Sequence, residues 1–121
     1  MAKDESVTRR SPCPVSCTLD ILGDRWTLLV IRDLMLGRSR YKEFCASPEG
    51  IPTNILAERL ERLLQYEIIE KAPVSPESKR MAYHLTPKGK ALKPLLVEIT
   101  KWGLQWEEGT EARMQKKNTD T

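Results

Sequence analysis

Apolar residues recur at intervals of three and four along much of this chain, a spacing that predicts helices. After Pro14, which suits the first turn of a helix, the spacing holds as far as Leu22. Asp24 can then cap a second helix over residues 26–36, which is apolar nearly all round. A helix of this kind belongs at the centre of the core.

A short helix, a turn and a longer amphipathic helix follow. Residues 41–46 have room for only a short helix, and residues 47–50 have the composition of a turn. From Pro52 to Gln65 the pattern is again helical, with a polar face opposite an apolar stripe. The stripe consists of Leu56, Leu60, Leu63 and Leu64. This layout is typical of a helix-turn-helix, whose second helix can enter a groove of DNA.

Two short segments with strand character come next, at residues 68–74 and 81–85. Pro73 restricts the first segment to the edge of a sheet. The residues between them form a hairpin tip that carries Lys79 and Arg80. A hairpin directly after a helix-turn-helix predicts a wing.

The last apolar stripe predicts a helix over residues 87–107, with Thr86 as its cap, Pro87 at its first position and a kink at Pro94. The stripe could complete the core of its own domain, but its width favours a second surface, which an equivalent helix of another subunit would supply. The predicted dimer contacts are Leu92, Leu95, Leu96, Ile99, Trp102 and Trp106.

The chain has 121 residues, 40% of them apolar and 31% charged, which fits one globular domain. We predict a mainly helical α+β fold over residues 13–107, a winged helix-turn-helix with a C-terminal dimerisation helix. Residues 1–12 and 108–121 are polar and aperiodic, and we expect a flexible arm and a flexible tail there.

The formal net charge is only +3, but residues 34–42 and 78–97 contain no acidic residue. Such stretches can be solvated surface, yet here they bracket the helical motif, which favours double-stranded DNA as a partner. We expect phosphate contacts from Arg38, Arg40, Lys42, Lys79 and Arg80.

The polar face of the second motif helix carries the side chains that could contact bases. They are Thr53, Asn54, Glu58 and Arg62. In the major groove Asn can pair with adenine, Arg with guanine, and Glu with the amino group of cytosine. The alternative is a winged-helix module that binds protein, because fold alone does not assign function.

Other functions have weak support in the residues. No catalytic motif surrounds His84, and we expect no enzyme activity, no cofactor and no metal. The first fourteen residues lack the apolar core of a signal peptide, and no apolar run is long enough to span a bilayer, so we expect a cytoplasmic protein without membrane contact.

The chain has three cysteines, and their spacing does not predict a disulfide framework. Cys17 and Cys45 are expected to pack in the core. Cys13 precedes a helix start and lies near Arg9 and Arg10, which would favour the reactive thiolate. Cys13 is therefore a candidate redox sensor, although an inert thiol, or a small thiol redox enzyme that uses Cys13 and Cys17, are alternatives.

Five blocks of sequence together resemble the HxlR-type family of transcriptional regulators. They are Cys13–Val15, Leu22–Thr27, Gly37–Phe44, Ile51–Leu60 and Tyr83–Gly89. The resemblance implies a winged-helix dimer, joined through its terminal helices, that binds an operator without a cofactor. It also implies that a small molecule or an oxidant could act as effector, with Cys13 at the position of a sensing cysteine. The start of the helix departs from the pattern, since Pro52 stands near the place of a more usual serine cap.

Overall fold

We describe a computed structural model of the chain, which covers residues 11–111. Helices come first and are followed by a hairpin and two further helices. The elements are α1 Pro14–Leu22, α2 Thr27–Met35, α3 Tyr41–Cys45, α4 Thr53–Gln65, β1 Ile69–Pro73, β2 Met81–Leu85, α5 Pro87–Lys90 and α6 Lys93–Trp106. The order confirms the predicted fold class. Most of the predicted N-terminal arm and C-terminal tail lies outside the described residues.

The core is built around α2, as the sequence predicts. Val30 and Ile31 of this helix are 2% and 0% exposed. They belong to one cluster with Phe44 of α3 and with the leucine stripe of α4, of which Leu56 is 0% exposed. Each such side chain contributes about 1.5 to 3 kcal/mol when fully buried. The packing of α2 against α3 and α4 therefore fixes the helix-turn-helix.

The start of α2 is capped by Asp24. Its Oδ1 accepts hydrogen bonds from the backbone N–H groups of Trp26, at 2.7 Å, and of Thr27, at 2.9 Å. These N–H groups have no partner within the helix, so the carboxylate stabilises the first turn. The predicted cap is confirmed.

The hairpin is antiparallel and pairs Ile69 with Leu85 at one end and Pro73 with Met81 at the other. Ile69 is buried, and Tyr83 and Leu85 on the same face of the hairpin pack against the core. The N–H of Tyr83 donates to the carbonyl of Ser39 at 2.8 Å. This bond fastens β2 to the loop between α2 and α3.

The prediction of a single kinked helix over residues 87–107 was wrong, because the segment forms two helices. Thr86 does cap the first, since its Oγ1 accepts from the N–H of Gly89 at 3.1 Å, but α5 ends at Lys90. A proline cannot donate to the carbonyl four residues earlier and its ring clashes there. Pro94 would meet the carbonyl of Lys90 in a continuous helix, and instead it lies in the first turn of α6.

The first helix packs less deeply than its spacing suggests. Val15 and Leu19 are 66% and 56% exposed, and Leu22 is the residue of α1 that is buried.

The two cysteines expected in the core have different environments. Cys17 is half-buried outside the core cluster, and its Sγ donates to the carbonyl of Ser11 at 3.0 Å. The expectation that Cys17 is a core residue was therefore wrong. Cys45 does pack against the core.

Candidate nucleic-acid interface

The face of α4 opposite its leucine stripe is open to solvent. Asn54 and Glu58 are exposed on it, while Leu56 and Leu60 on the other face are buried, and Thr53 is exposed at the first position of the helix. Glu58 forms an ion pair with its neighbour Arg59. Three of the four predicted base contacts are therefore accessible.

Arg62 has different partners from those that the sequence suggested. Its Nη2 lies 2.6 Å from Asp24 Oδ2 and 3.2 Å from Thr27 Oγ1, and it also donates to the carbonyl of Ile21 at 3.1 Å. These atoms belong to the junction of α1 and α2, behind the exposed face of α4. We therefore do not carry Arg62 forward as a base contact.

One contact at the start of α4 was not predicted from the sequence. The hydroxyl of Tyr41, the first residue of α3, donates to the carbonyl of Thr53 at 2.8 Å. The Tyr41 ring is 39% exposed beside the predicted base contacts. Nothing in the local pattern indicates this bond, because the two residues are 12 positions apart.

The two basic stretches meet where β2 is fastened to Ser39. On the loop side Arg38 and Arg40 are half-buried and Lys42 is exposed. On the wing side Lys79 and Arg80 are exposed at the hairpin tip. The structure thus joins the basic loop of the helix-turn-helix to the middle of strand β2 in the basic hairpin.

An ionic cluster links the end of α2 to the turn before α4. Asp33 is 2% exposed, and its Oδ1 accepts from Arg32 at 2.9 Å and from Arg38 at 3.3 Å. Arg32 also forms a two-pronged pair with Glu49, at 2.7 and 2.8 Å. Arg38 retains further donors for a phosphate, since a guanidinium carries five N–H groups.

The charges in this cluster shift two ionisation equilibria. Hydrogen bonding to Arg32 lowers the pKa of Glu49 to about 2, against the smaller opposing effect of burial. The pKa of Arg32 is raised, chiefly by its hydrogen bond to Glu49. Both groups are therefore held in their charged forms.

The pKa of the Asp24 carboxyl group is shifted as well. Burial acts to raise its pKa, but the hydrogen bonds from the side chain and backbone of Thr27, from Trp26 and from Arg59 together hold it well below the usual range. The carboxylate stays ionised, and so it can pair with Arg62 and cap α2 at once.

The predicted dimer residues divide between two environments. Leu92 and Leu96 are half-buried and pack against the core. The other four are exposed, with Leu95 at 38%, Ile99 at 46%, Trp102 at 60% and Trp106 at 61%. Beside them an open groove of about 580 Å³ runs between α2 and α6, with Leu28, Met35, Val97 and Leu104 among its walls. A wide apolar surface is therefore left uncovered in one chain.

Cys13 is exposed and stands at the N-cap position of α1, as its sequence position suggests. His84 is exposed on β2 opposite Glu70. Among residues 11–111, no group of three or more histidine, cysteine or acidic side chains could hold a metal ion. None of the helices over the same residues is long and apolar enough to cross a membrane.

Comparison with known proteins places this architecture in a family. The sequence model of the family described as HxlR-like helix-turn-helix matches residues 21–111. The chain belongs to the HxlR-like helix-turn-helix family. The HTH-type transcriptional regulator YvaP of Bacillus subtilis is 42% identical to this HxlR-like protein over 89 residues, 73% of this chain and 82% of YvaP. YodB of the same organism is 37% identical over 95 residues, 78% of this chain and 85% of YodB.

Solved structures agree with this assignment. PA1607, a candidate transcription factor, superposes with a TM-score of 0.79 at 34% identity, over 93% of this chain and 80% of PA1607. Reduced YodB gives 0.67 at 38% identity, over 84% of this chain and 100% of YodB. The redox regulator HypR, in its reduced form, gives 0.69 at 26% identity, over 77% of this chain and 92% of HypR. YvaP and YodB are HTH-type transcriptional regulators, which agrees with the expectation of a regulator rather than an enzyme.

Proposed function

We propose that this protein is a cytoplasmic, homodimeric, sequence-specific DNA-binding regulator of transcription that inserts α4 into the major groove. One observation carries the proposal: the polar face of α4 is exposed, and the basic loop, whose following residue Tyr41 contacts the start of α4, is bonded to strand β2 of the basic hairpin. The family membership supports it. The runner-up, a module that binds protein alone, gives no reason for basic residues on both sides of that helix.

Base reading belongs to Thr53, Asn54 and Glu58. Asn54 has the donor and acceptor that pair with adenine, and Glu58 can accept from the amino group of cytosine. Phosphates are held by Arg38, Arg40 and Lys42 on the loop and by Lys79 and Arg80 on the wing. These last contacts position the domain but do not read sequence.

Dimerisation uses the exposed apolar surface of α6. A soluble chain rarely exposes such a surface without a partner, and a two-fold axis lets each copy cover the other. Trp102 and Trp106 lie one turn apart on this surface, and large aromatic side chains contribute most to interfaces of this kind. Two recognition helices about 34 Å apart would then read a roughly palindromic operator.

The effector is an oxidant or an electrophile that reacts with Cys13. Solved structures of YodB include quinone-bound and diamide-treated forms, and HypR is a redox regulator with an oxidised form. Cys13 is exposed and directly precedes α1, whose exposed Val15 and Leu19 can join the subunit interface. A modified Cys13 would then change the spacing of the two recognition helices.

The function is tested by selecting duplexes from a random library with the intact protein and measuring their affinity by fluorescence anisotropy at several salt concentrations. The Asn54→Ala variant should lose about 1 to 3 kcal/mol in each half-site of the selected duplex and accept other bases at one position there. Arg80→Ala should weaken selected and random duplexes alike and reduce the salt slope by about two, one for each subunit of the dimer.

Gln65→Ala is the matched control, since Gln65 is exposed at the far end of the same helix. It should keep both affinity and base preference. Failure of the intact protein to enrich any duplex, together with salt-independent binding, would contradict the proposal and favour the protein-binding module.

A further inference from the structure

A single carboxylate stands where α1, α2 and α4 meet. Asp24 Oδ1 caps α2, while Asp24 Oδ2 lies 2.6 Å from Thr27 Oγ1 and 2.6 Å from Arg62 Nη2 of α4. The Nε of Arg59, also on α4, lies 3.2 Å away from the same oxygen. One oxygen therefore caps the start of α2, and the other forms ion pairs with two arginines of α4.

Arg62 extends this junction to the first helix. Its Nη2 donates to the carbonyl of Ile21, in the last turn of α1, at 3.1 Å. The side chains of Asp24 and Arg62 are only 24% and 26% exposed, so solvent screens their attraction less than that of a surface pair. Ionised partners also make shorter and more directional hydrogen bonds than neutral ones.

The directional bonds of Asp24 and Arg62 restrict the orientation of α4, which apolar packing alone does not. A leucine stripe favours burial but tolerates a small rotation or tilt of the helix, since the hydrophobic effect is non-directional. Arg62 lies eight residues after Asn54, about 12 Å along the helix axis. A tilt of about 10° at Arg62 would move Asn54 by about 2 Å, which exceeds the tolerance of a hydrogen bond to a base.

We propose that Asp24 and Arg62 are positioning residues for DNA recognition: neither touches DNA, and their ion pair sets the angle at which α4 presents Asn54 and Glu58 to the bases. The inference rests on the proposed function, because it assumes that α4 reads DNA. It gives Arg62 a role that differs from the guanine contact suggested by its place on the helix.

The test compares three variants that remove different parts of the pair. Asp24→Asn keeps a side-chain oxygen that can cap α2 but loses the charge. Arg62→Met keeps a long apolar stem and loses the guanidinium, and Arg62→Lys keeps the charge without the planar fork. For each variant, affinity is measured on the selected duplex and on a random duplex of the same length, across a range of salt concentrations.

Arg62→Met and Asp24→Asn should each reduce the ratio of specific to random affinity by about tenfold, because several base contacts lose their geometry together. Affinity for the random duplex and the salt slope should stay as in the wild type. Base preference should relax at every position that α4 reads, and the double variant should lose no more than either single variant. Arg62→Lys should retain part of the discrimination.

Glu49→Gln is the matched control, because it breaks the other ionic cluster near α4. A loss of discrimination in Glu49→Gln as large as in Arg62→Met, at equal thermal stability, would overturn the inference and indicate general loosening. A loss confined to one base position in Arg62→Met, with Asp24→Asn unchanged, would also overturn it and restore Arg62 as a base contact. If the wild type selects no duplex, the proposed function itself fails, which is a separate outcome.

Discussion

Arg32 Nη2 lies 2.7 Å from Glu49 Oε1, and this pair joins the last turn of α2 to the turn that precedes α4. Arg32 is at the same time hydrogen-bonded to the buried Asp33 and to Ser47. The turn between α3 and α4 is therefore anchored to the core helix through charged groups, whereas α4 itself is held by its ion pair with Asp24. This anchoring makes the stability of the domain depend on pH.

Stability should fall in acid partly because Glu49 becomes protonated. Its pKa is lowered from 4.5 to about 2 in the folded chain, so its contribution is complete above about pH 5 and is lost as the pH falls towards 2. Glu49→Gln should cost about 1 kcal/mol at pH 7, a value reduced for solvent screening, and almost nothing at pH 2. Urea unfolding at several pH values measures the difference.

The control for this experiment is Glu77→Gln, which removes an exposed carboxylate at the wing tip. It should leave stability at pH 7 unchanged. A constant difference between wild type and Glu49→Gln from pH 7 to pH 2 would contradict the assigned pKa.

Removing the two tryptophans of α6 should produce monomers. Trp102 and Trp106 are 60% and 61% exposed, so their replacement by alanine costs the single chain little but removes the largest apolar groups from the proposed interface. Sedimentation equilibrium should give a dimer for the wild type at micromolar concentration and a monomer for the double variant. Val74→Ala, which removes an exposed apolar residue of the wing, should remain dimeric.

An alanine at Gly89 should destabilise the fold. A Cβ there would lie 2.2 Å from the carbonyl oxygen of Ile68 and 2.8 Å from Leu85 Cδ2, so α5 would have to move away from the hairpin. We expect a loss of about 1 to 3 kcal/mol or more. At Gly103, where a Cβ meets nothing within 4 Å, alanine should instead stabilise α6 by about 0.5 to 1 kcal/mol. Thermal unfolding of both variants gives the sign directly.

Oxidation should change DNA affinity through Cys13. With diamide as oxidant, two thiols lose two protons and two electrons, form a disulfide and reduce diamide to its hydrazine. The wild type should lose affinity for its selected duplex, with a covalent dimer on non-reducing gels, whereas Cys13→Ser should keep its affinity. Cys45→Ser, which alters a thiol packed against the core, should respond like the wild type.

Mass spectrometry decides how this experiment is interpreted. If Cys13 in the wild type is shown to have reacted and affinity is nevertheless unchanged, the thiol is not a switch.

The sequence by itself determined the order of elements as far as the hairpin, the cap at Asp24 and the central place of α2. These features depend on local spacing and on residues close in the chain, such as the continuous apolar run that ends at Gly37. It also indicated the family, because five blocks that resemble the HxlR-type pattern occur together in one order. For the same reason it located the exposed face of α4 with Asn54 and Glu58.

Only the tertiary structure decided what long-range partners each polar residue has. Arg62 lies on the polar face of a helical wheel, but its partner Asp24 is 38 residues earlier, and no local pattern records that distance. The break between α5 and α6 was decided by the same kind of contact. Gly89 approaches the Ile68 carbonyl, and this packing, together with Pro94, ends one helix and starts another. Local propensity sets which elements form, whereas the contacts between elements set where they end and which of their faces remain open.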